Sequence, residues 1–219
     1  MNVQDYFIFG LIAYLLGSIP TAVWIGKAYY GIDVREHGSK NAGATNTFRV
    51  LGKKPGIIVL LIDILKGALA SSLPYFALPA MITLPDSGPN AEQLILIGNV
   101  QIAASILAVV GHVFPVFAGF RGGKGVATSL GVIIGLQPLA AFICLAIFLC
   151  VFIASKYVSL GAMAAAFVFP IVVHFVLKNE SLWMTSFSIL LSVLVIFAHR
   201  KNIGRLMRGE ENRMNLFKK

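Results

Sequence analysis

A glycine-rich stretch in the first third of the chain has the residue types of a phosphate-binding loop. It runs from Gly38 to Asn46 and has the sequence Gly-Ser-Lys-Asn-Ala-Gly-Ala-Thr-Asn. Small side chains let backbone N–H groups converge on an anion, and polar side chains add further donors. These polar residues are Ser39, Asn41, Thr45 and Asn46. Arg35 and Arg49 flank the stretch with planar guanidinium groups suited to phosphate oxygens, although a flexible turn that caps a helix would have a similar composition.

A second basic cluster lies near the middle of the chain, where Gly119 to Gly125 has the sequence Gly-Phe-Arg-Gly-Gly-Lys-Gly. It leads directly into an apolar segment, so the N–H groups and dipole at the start of a helix would add to the charge of Lys124. It is not a Walker A loop, because Ala118 takes the place of the first glycine and Gly125 that of the final Ser or Thr. Simple anchoring at a membrane surface is the alternative role for Arg121 and Lys124.

Histidines at the ends of two apolar segments are the candidates for proton transfer. His112 precedes Val-Phe-Pro, and His199 stands beside Arg200 and Asn202. Either ring could accept a proton or donate to a phosphate, and a structural hydrogen bond is the alternative for both. His174 lies in an apolar run, where a structural role is expected. The sequence has no Gly-x-Ser-x-Gly elbow and no His-x4-Asp pattern, so we expect the nucleophile to come from a substrate.

The chain as a whole is too apolar for an ordinary soluble domain. Of its 219 residues, 58% are hydrophobic and 12% are charged. Apolar segments follow one another from end to end, which predicts one membrane domain over residues 1–219. They are 6–28, 57–80, 94–117, 126–155, 158–177 and 182–198. The start of the chain lacks the basic region of a signal peptide, so the first segment is expected to remain as a helix. The two cysteines, Cys144 and Cys150, indicate core packing rather than a disulfide or a metal site.

The segment 126–155 decides the number of spans. It would be about 45 Å long as one helix, and it contains Gly135-Leu136-Gln137-Pro138, which indicates a turn. Two crossings there place every Lys and Arg except Lys66 and Lys178 on one side, as the positive-inside bias requires. We therefore predict an all-α protein with seven transmembrane helices, the N-terminus outside and the C-terminus in the cytoplasm. The fourth span, about 21 Å long, is short.

This topology brings polar and basic pieces that are distant in the chain to one membrane face. An edge site of this kind suits a reaction between a lipid-soluble reactant and a water-soluble anion. A transporter of anions or lysophospholipids would more often place its polar groups near the bilayer midplane between repeated halves, and no such repeat is visible. A scaffold that binds soluble proteins through basic loops is a third possibility. Asp63 and Lys66, within the second span, are interpreted as a mutually neutralising pair, with a direct catalytic role as the alternative.

Four motifs resemble those of the bacterial acyl-phosphate:glycerol-3-phosphate acyltransferases, in order and over essentially the whole chain. They are Gly17-Ser-Ile-Pro20, the Gly38–Asn46 stretch, the run from Gly111-His-Val-Phe-Pro through Gly119-Phe-Arg-Gly-Gly-Lys-Gly to Thr128, and His199-Arg-x-Asn-Ile-x-Arg-Leu206. The resemblance implies seven spans in a bacterial inner membrane and a site on the cytoplasmic face. It also implies transfer of an acyl group from acyl phosphate to glycerol 3-phosphate, which gives lysophosphatidic acid, without metal, cofactor, acyl-CoA or nucleic acid.

The resemblance and the residue chemistry together assign site residues. The predicted catalytic residues are Ser39, Asn41, Lys124, His199 and Asn202. The predicted substrate-binding residues are Arg35, Gly38, Gly43, Thr45, Asn46, Arg49, His112, Gly122, Gly123, Ser159, Arg200, Arg205 and Glu211. Lys40 departs from the family pattern, which has glycine there. If position 40 needs a positive φ, Lys40 is strained, whereas with an ordinary φ it adds a charge to the phosphate site.

Overall fold

The computed structural model describes residues 3–81, 89–179 and 181–214. Within these ranges every regular element is helical, as the apolar segments predict. The chain divides into two compact units, the first ending at Leu136 and the second beginning at Gln137.

The first unit is built around one long helix. Its helices are α1 (Val3–Gly17), α2 (Thr21–Tyr30), α3 (Ala44–Leu51), α4 (Lys53–Met81), α5 (Ala91–Val113) and α6 (Val126–Leu136). Single 3-10 turns at Val34–Glu36 and Val116–Ala118 lie in the two connections that carry the predicted loops. Helix α4 packs against α1, α3, α5 and α6, and α1 also packs against α5. This arrangement packs α1, α5 and α6 against α4.

Glycines allow α4 and α6 to approach closely. A Cβ atom on Gly131 of α6 would overlap the carbonyl oxygen of Ile64, and one on Gly67 of α4 would overlap the carbonyl oxygen of Thr128. Small residues at the contact are typical of packing between membrane helices, where backbones approach without a strong hydrophobic driving force. The short α6 is thus held tightly against the central helix.

The first apolar segment is not one helix. Helix α1 ends at Gly17 and α2 begins at Thr21, although the whole stretch Gln4–Tyr30 is long and apolar enough for one span. Pro20 lacks an N–H group and disfavours helical geometry at Ile19, which explains the break. The predicted first span is present as one long apolar stretch, but its break at Ser18–Pro20 was not predicted.

The second unit contains α7 (Pro138–Ser155), α8 (Val158–Ile171), α9 (Leu182–Ala198) and α10 (Arg200–Met207). Helix α8 packs against both α7 and α9. Pro170 lies inside α8 and is followed by a π-helical turn at Val172–Val176, a common response to a proline in a helix. Helices α9 and α10 are bent by 56° about His199, so α10 leaves the direction of α9.

Five of the described helical stretches are long and apolar enough to cross a membrane, or six if α9 and α10 count as one span. The predicted turn in 126–155 is confirmed, because α6 ends at Leu136 and α7 begins at Pro138. Helix α6 has 11 residues, which corresponds to about 16 Å. It is therefore even shorter than the predicted fourth span.

Candidate functional site

The glycine-rich loop of the first unit is held in shape by one buried side chain. Asn46, which is 1% exposed, accepts hydrogen bonds at Oδ1 from Ser39 N (2.7 Å) and Ser39 Oγ (3.0 Å). Its Nδ2 donates to the carbonyl oxygens of Val34 (2.7 Å) and His37 (3.1 Å). Because the amide makes four bonds to its own loop, Asn46 acts as a positioning residue. Ser39, in contrast, is exposed.

Helix α3 begins inside the same loop. Gly43 is its N-cap residue, and its carbonyl accepts the N–H groups of Asn46 and Thr47. A Cβ atom on Gly43 would lie 2.9 Å from Asn41 Oδ1, so glycine at this position leaves room for the Asn41 amide. Thr45 lies in the first turn and is partly exposed, whereas Arg49 lies in the last turn and is exposed. Asn41, Gly43 and Thr45 are thus grouped at the start of α3, with Arg49 at its opposite end.

Lys40 has the conformation that the family glycine would supply. Its φ is 56°, in the left-handed region, and Gly38 has a φ of 58°. The backbone N–H of Lys40 donates to the carbonyl of His37 at 3.0 Å, which closes the turn. Of the two alternatives at this position, the structure shows the strained backbone.

We expect Lys40→Gly to be more stable than Lys40→Ala. Both variants remove the charge, but only glycine avoids the steric cost of a left-handed backbone, about 1 kcal/mol. For a chain of this size that difference corresponds to a melting temperature roughly 2–4 °C higher, measured in detergent. Equal melting temperatures of the two variants would show that the loop carries no backbone strain at this position.

Arg35 joins the two basic loops of the first unit. Its guanidinium group donates to both carboxylate oxygens of Asp33, at 2.7 Å to Oδ2, and to the carbonyl of Ala118 at 2.7 Å. Hydrogen bonding to Arg35 holds the pKa of Asp33 well below its usual range, so this carboxylate is ionised at neutral pH. The Arg35 guanidinium group, predicted to bind phosphate, is therefore already hydrogen-bonded within the protein. Arg35 positions the two loops. Asp33 was not predicted, although Asp-x-Arg before a turn was the available signal.

His112 lies under the second glycine cluster. The N–H groups of Gly122 and Gly123 donate to the carbonyls of Val113 and His112, each at 3.2 Å. A Cβ atom on Gly122 would overlap the His112 carbonyl oxygen, and one on Gly123 would overlap the imidazole Nε2. These two glycines thus allow the turn before Lys124 to fold against the end of α5.

The charged pair of α4 is buried next to this turn. Lys66 Nζ lies 2.9 Å from Asp63 Oδ1 and donates to the carbonyl of Ile19 at 2.9 Å. Thr21 Oγ1 donates to the same Asp63 oxygen at 3.3 Å. A cleft with about 190 Å³ of empty space, part of it open solvent, lies over these groups. Its lining consists of Ile19, Pro20, Thr21, Ala42, Asp63, Lys66, His112, Pro115, Gly122 and Gly123.

Four of the predicted residues meet in the second unit, around the carboxylate of Glu211. Oε1 accepts from Ser159 Oγ at 2.8 Å and from Asn202 Nδ2 at 2.6 Å, and Oε2 accepts from Arg205 Nε at 2.6 Å. Burial raises the pKa of Glu211, but the hydrogen bonds from Arg205, Asn202 and Ser159 outweigh it and leave the pKa below its usual value. Glu211 is therefore an anion at neutral pH. Its negative charge indicates that it orients the three donors rather than binding a phosphate itself.

The chain after α10 folds back onto the start of α8. The Met214 N–H donates to the Lys156 carbonyl at 2.9 Å, and Arg213 Nε donates to the Tyr157 hydroxyl at 3.2 Å. Tyr157 and Arg213 were not predicted, and nothing in their spacing indicated this contact. Glu211 is thus fixed by the chain on both sides of it.

His199 stands at the bend between α9 and α10 and is 3% exposed. Its Nδ1 lies 2.8 Å from the Val195 carbonyl, so in the neutral ring Nδ1 carries the proton and Nε2 has the lone pair. Such a ring can accept a proton or a hydrogen bond at Nε2. Arg200 is exposed, and its guanidinium group lies 4.6 Å from the centre of the Phe197 ring.

The predicted residues therefore form two sets, one in each unit. The loop residues, His112, Gly122, Gly123 and Lys124 belong to the first unit, whereas Ser159, His199, Asn202 and Glu211 belong to the second. That both sets serve one pocket stays a prediction.

The long apolar helices place the chain in the class of helical, multi-pass integral membrane proteins. A family model described as glycerol-3-phosphate acyltransferase matches residues 7–209. The chain is 43% identical over 208 residues to a glycerol-3-phosphate acyltransferase of Fusobacterium nucleatum subsp. nucleatum, covering 95% of this chain and 97% of that one. It is 46% identical over 202 residues to the enzyme of the same name from Geobacillus kaustophilus, covering 92% of each.

Solved structures agree with these relatives. A crystal structure of PlsY (YgiH), described as an integral membrane glycerol 3-phosphate acyltransferase in its glycerol 3-phosphate form, matches with a TM-score of 0.82 and 33% identity. The match covers 97% of this chain and 99% of that one. The lysophosphatidic acid form of PlsY matches with a TM-score of 0.79. The chain belongs to the glycerol-3-phosphate acyltransferase family.

Proposed function

We propose that the chain transfers an acyl group from acyl phosphate to the 1-hydroxyl of glycerol 3-phosphate. The observation that carries this proposal is the loop from Gly38 to Thr45, whose shape is held from behind by Asn46 while Ser39 remains exposed. Backbone N–H groups and small polar side chains suit a phosphate, and no nucleotide-binding pattern accompanies them. The solved relatives, named for glycerol 3-phosphate and lysophosphatidic acid forms, agree with the acceptor and the product.

The proposed reaction needs no covalent acyl-enzyme. The hydroxyl oxygen of glycerol 3-phosphate attacks the acyl carbonyl carbon, the bond from that carbon to the phosphate oxygen breaks, and inorganic phosphate leaves with the hydroxyl proton. Ser39, Asn41, Gly43 and Thr45 would hold the donor phosphate, and Lys124, Ser159, His199 and Asn202 the glycerol phosphate. Proximity and electrostatic stabilisation then supply the catalysis.

We propose that this site faces the cytoplasm in a bacterial inner membrane. Counting α6 as a short fourth span and α9 as the last gives seven crossings, with the N-terminus outside and the C-terminus inside. A helix of about 16 Å requires a tilt or a locally thin bilayer. The two units would act as one catalytic domain, in agreement with a family model that matches from residue 7 to 209.

Phosphate release by detergent-purified protein tests the proposal. We expect inorganic phosphate to be released from acyl phosphate only when glycerol 3-phosphate is added, together with an equal amount of lysophosphatidic acid. Lys124→Ala and Asn202→Ala should each reduce this release by about a hundredfold or more, because each removes a donor to an anion. Release without acceptor, or activity that appears only in sealed vesicles, would contradict it and favour a hydrolase or a transporter.

The proton acceptor is tested separately with His199→Ala. If a substrate phosphate takes the proton, the variant retains turnover at saturating substrate and mainly loses affinity for glycerol 3-phosphate. Complete loss of turnover with intact binding of both substrates would assign the proton to the His199 ring.

A further inference from the structure

A buried ion pair of α4 lies between the break that separates α1 from α2 and the end of α5 that holds the Gly122–Gly123 turn. Asp63 and Lys66 are 1% and 4% exposed, and their charged atoms are 2.9 Å apart. Lys66 also bonds the carbonyl of Ile19, and Asp63 accepts from Thr21. These bonds fasten α4 to the break between α1 and α2 and to the first residue of α2.

His112 connects this pair to the glycine turn. Its Nδ1 lies 3.7 Å from Asp63 Oδ1, and its side chain is 6% exposed. On its other side, the ring lies where a side chain on Gly123 would be, and the backbone carbonyls of His112 and Val113 accept the N–H groups of Gly123 and Gly122. One residue thus contacts the ion pair with its ring and the turn with both its ring and its backbone.

We propose that Asp63 and Lys66, acting through His112, hold the Gly122–Gly123 turn in place and thereby position Lys124 for glycerol 3-phosphate. A charged pair that only filled the space between helices could be exchanged for apolar residues of similar size with little loss. Here the pair also lies against the buried His112 ring, with Asp63 Oδ1 3.7 Å from Nδ1. His112, predicted to bind substrate, becomes a positioning residue, and Asp63 and Lys66 acquire a role beyond neutralising each other.

Kinetics of paired variants test this inference, which rests on the proposed function. Asp63→Leu/Lys66→Met removes both charges together, and His112→Phe removes the imidazole while keeping a ring. We expect each to raise the KM for glycerol 3-phosphate by about tenfold while the KM for acyl phosphate stays within about twofold. Because all three residues act on one turn, the effects should not add. The KM of the triple variant for glycerol 3-phosphate should be no higher than that of the more impaired of these two variants.

The result that overturns the inference is a normal KM for glycerol 3-phosphate in a folded double variant, or fully additive effects in the triple variant. If the double variant does not fold, Thr21→Val gives the milder test, since it removes one bond to Asp63, and we expect about a threefold rise in the same KM. An unchanged KM in Thr21→Val would then overturn it. Failure of the proposed function is distinct, because the unaltered chain would then release no phosphate in response to glycerol 3-phosphate.

Discussion

We expect replacement of Gly122 by alanine to lower kcat/KM by about a hundredfold, or about 2.7 kcal/mol of transition-state stabilisation. The added Cβ would overlap the carbonyl oxygen of His112 and lie 2.7 Å from the carbonyl oxygen of Val113. Both obstacles are backbone atoms at the end of α5, so they cannot move aside as a flexible side chain would. The turn itself must shift, and Lys124 two residues later shifts with it. Steady-state phosphate release measures the loss.

Gly98→Ala is the matched control, since it makes the same chemical change within α5, the helix whose end the Gly122 turn packs against. A Cβ atom at Gly98 meets nothing within 4 Å, and its φ is ordinary. We expect unchanged activity, with a small gain in stability from the higher helix propensity of alanine. Near-normal activity of Gly122→Ala would show that the turn does not position Lys124.

The sequence predicted the fold well wherever apolar length decides it. The long helices and the turn before Pro138 follow from hydropathy and from glycine and proline placement. The break at Ser18–Pro20 was not predicted, because the whole stretch is apolar and only Pro20 indicates an interruption. The close contact of α4 with α6 through Gly67 and Gly131 was not predicted. It depends on tertiary packing that no local sequence pattern encodes.

The sequence located the polar residues of the candidate site better than it assigned their tasks. Residue type indicates which groups can bind phosphate, but it does not show which of these groups are already hydrogen-bonded within the protein. Arg35 looked like a phosphate ligand, yet Asp33 and the Ala118 carbonyl occupy its guanidinium group. Asn46 likewise directs its amide to its own loop. Glu211 was matched to the family, but only the structure places it against three donors.

Exchange of Asn202 for aspartate should have the largest effect of all, a loss of at least about a thousandfold in activity together with a lower melting temperature. Asn202 is 5% exposed, and its amide donates to Glu211 at 2.6 Å. The variant removes this donor and leaves two carboxylates facing each other with little water between them. Repulsion would raise the pKa of Glu211, so the stability deficit should shrink as the pH falls and the two carboxylates share one proton.

Asn212→Asp provides the control, because it introduces the same charge one residue after Glu211 at an exposed position. It should leave both activity and melting temperature unchanged. A second substitution, Glu211→Gln, added to Asn202→Asp restores one amide and one carboxylate at this contact with their places exchanged. We expect the double variant to recover much of the stability but little of the activity, since Arg205 then loses its carboxylate partner and Ser159 its charged acceptor. Recovery of full activity would show that only charge balance matters here, and that the orientation of these donors around Glu211 is not required for the reaction.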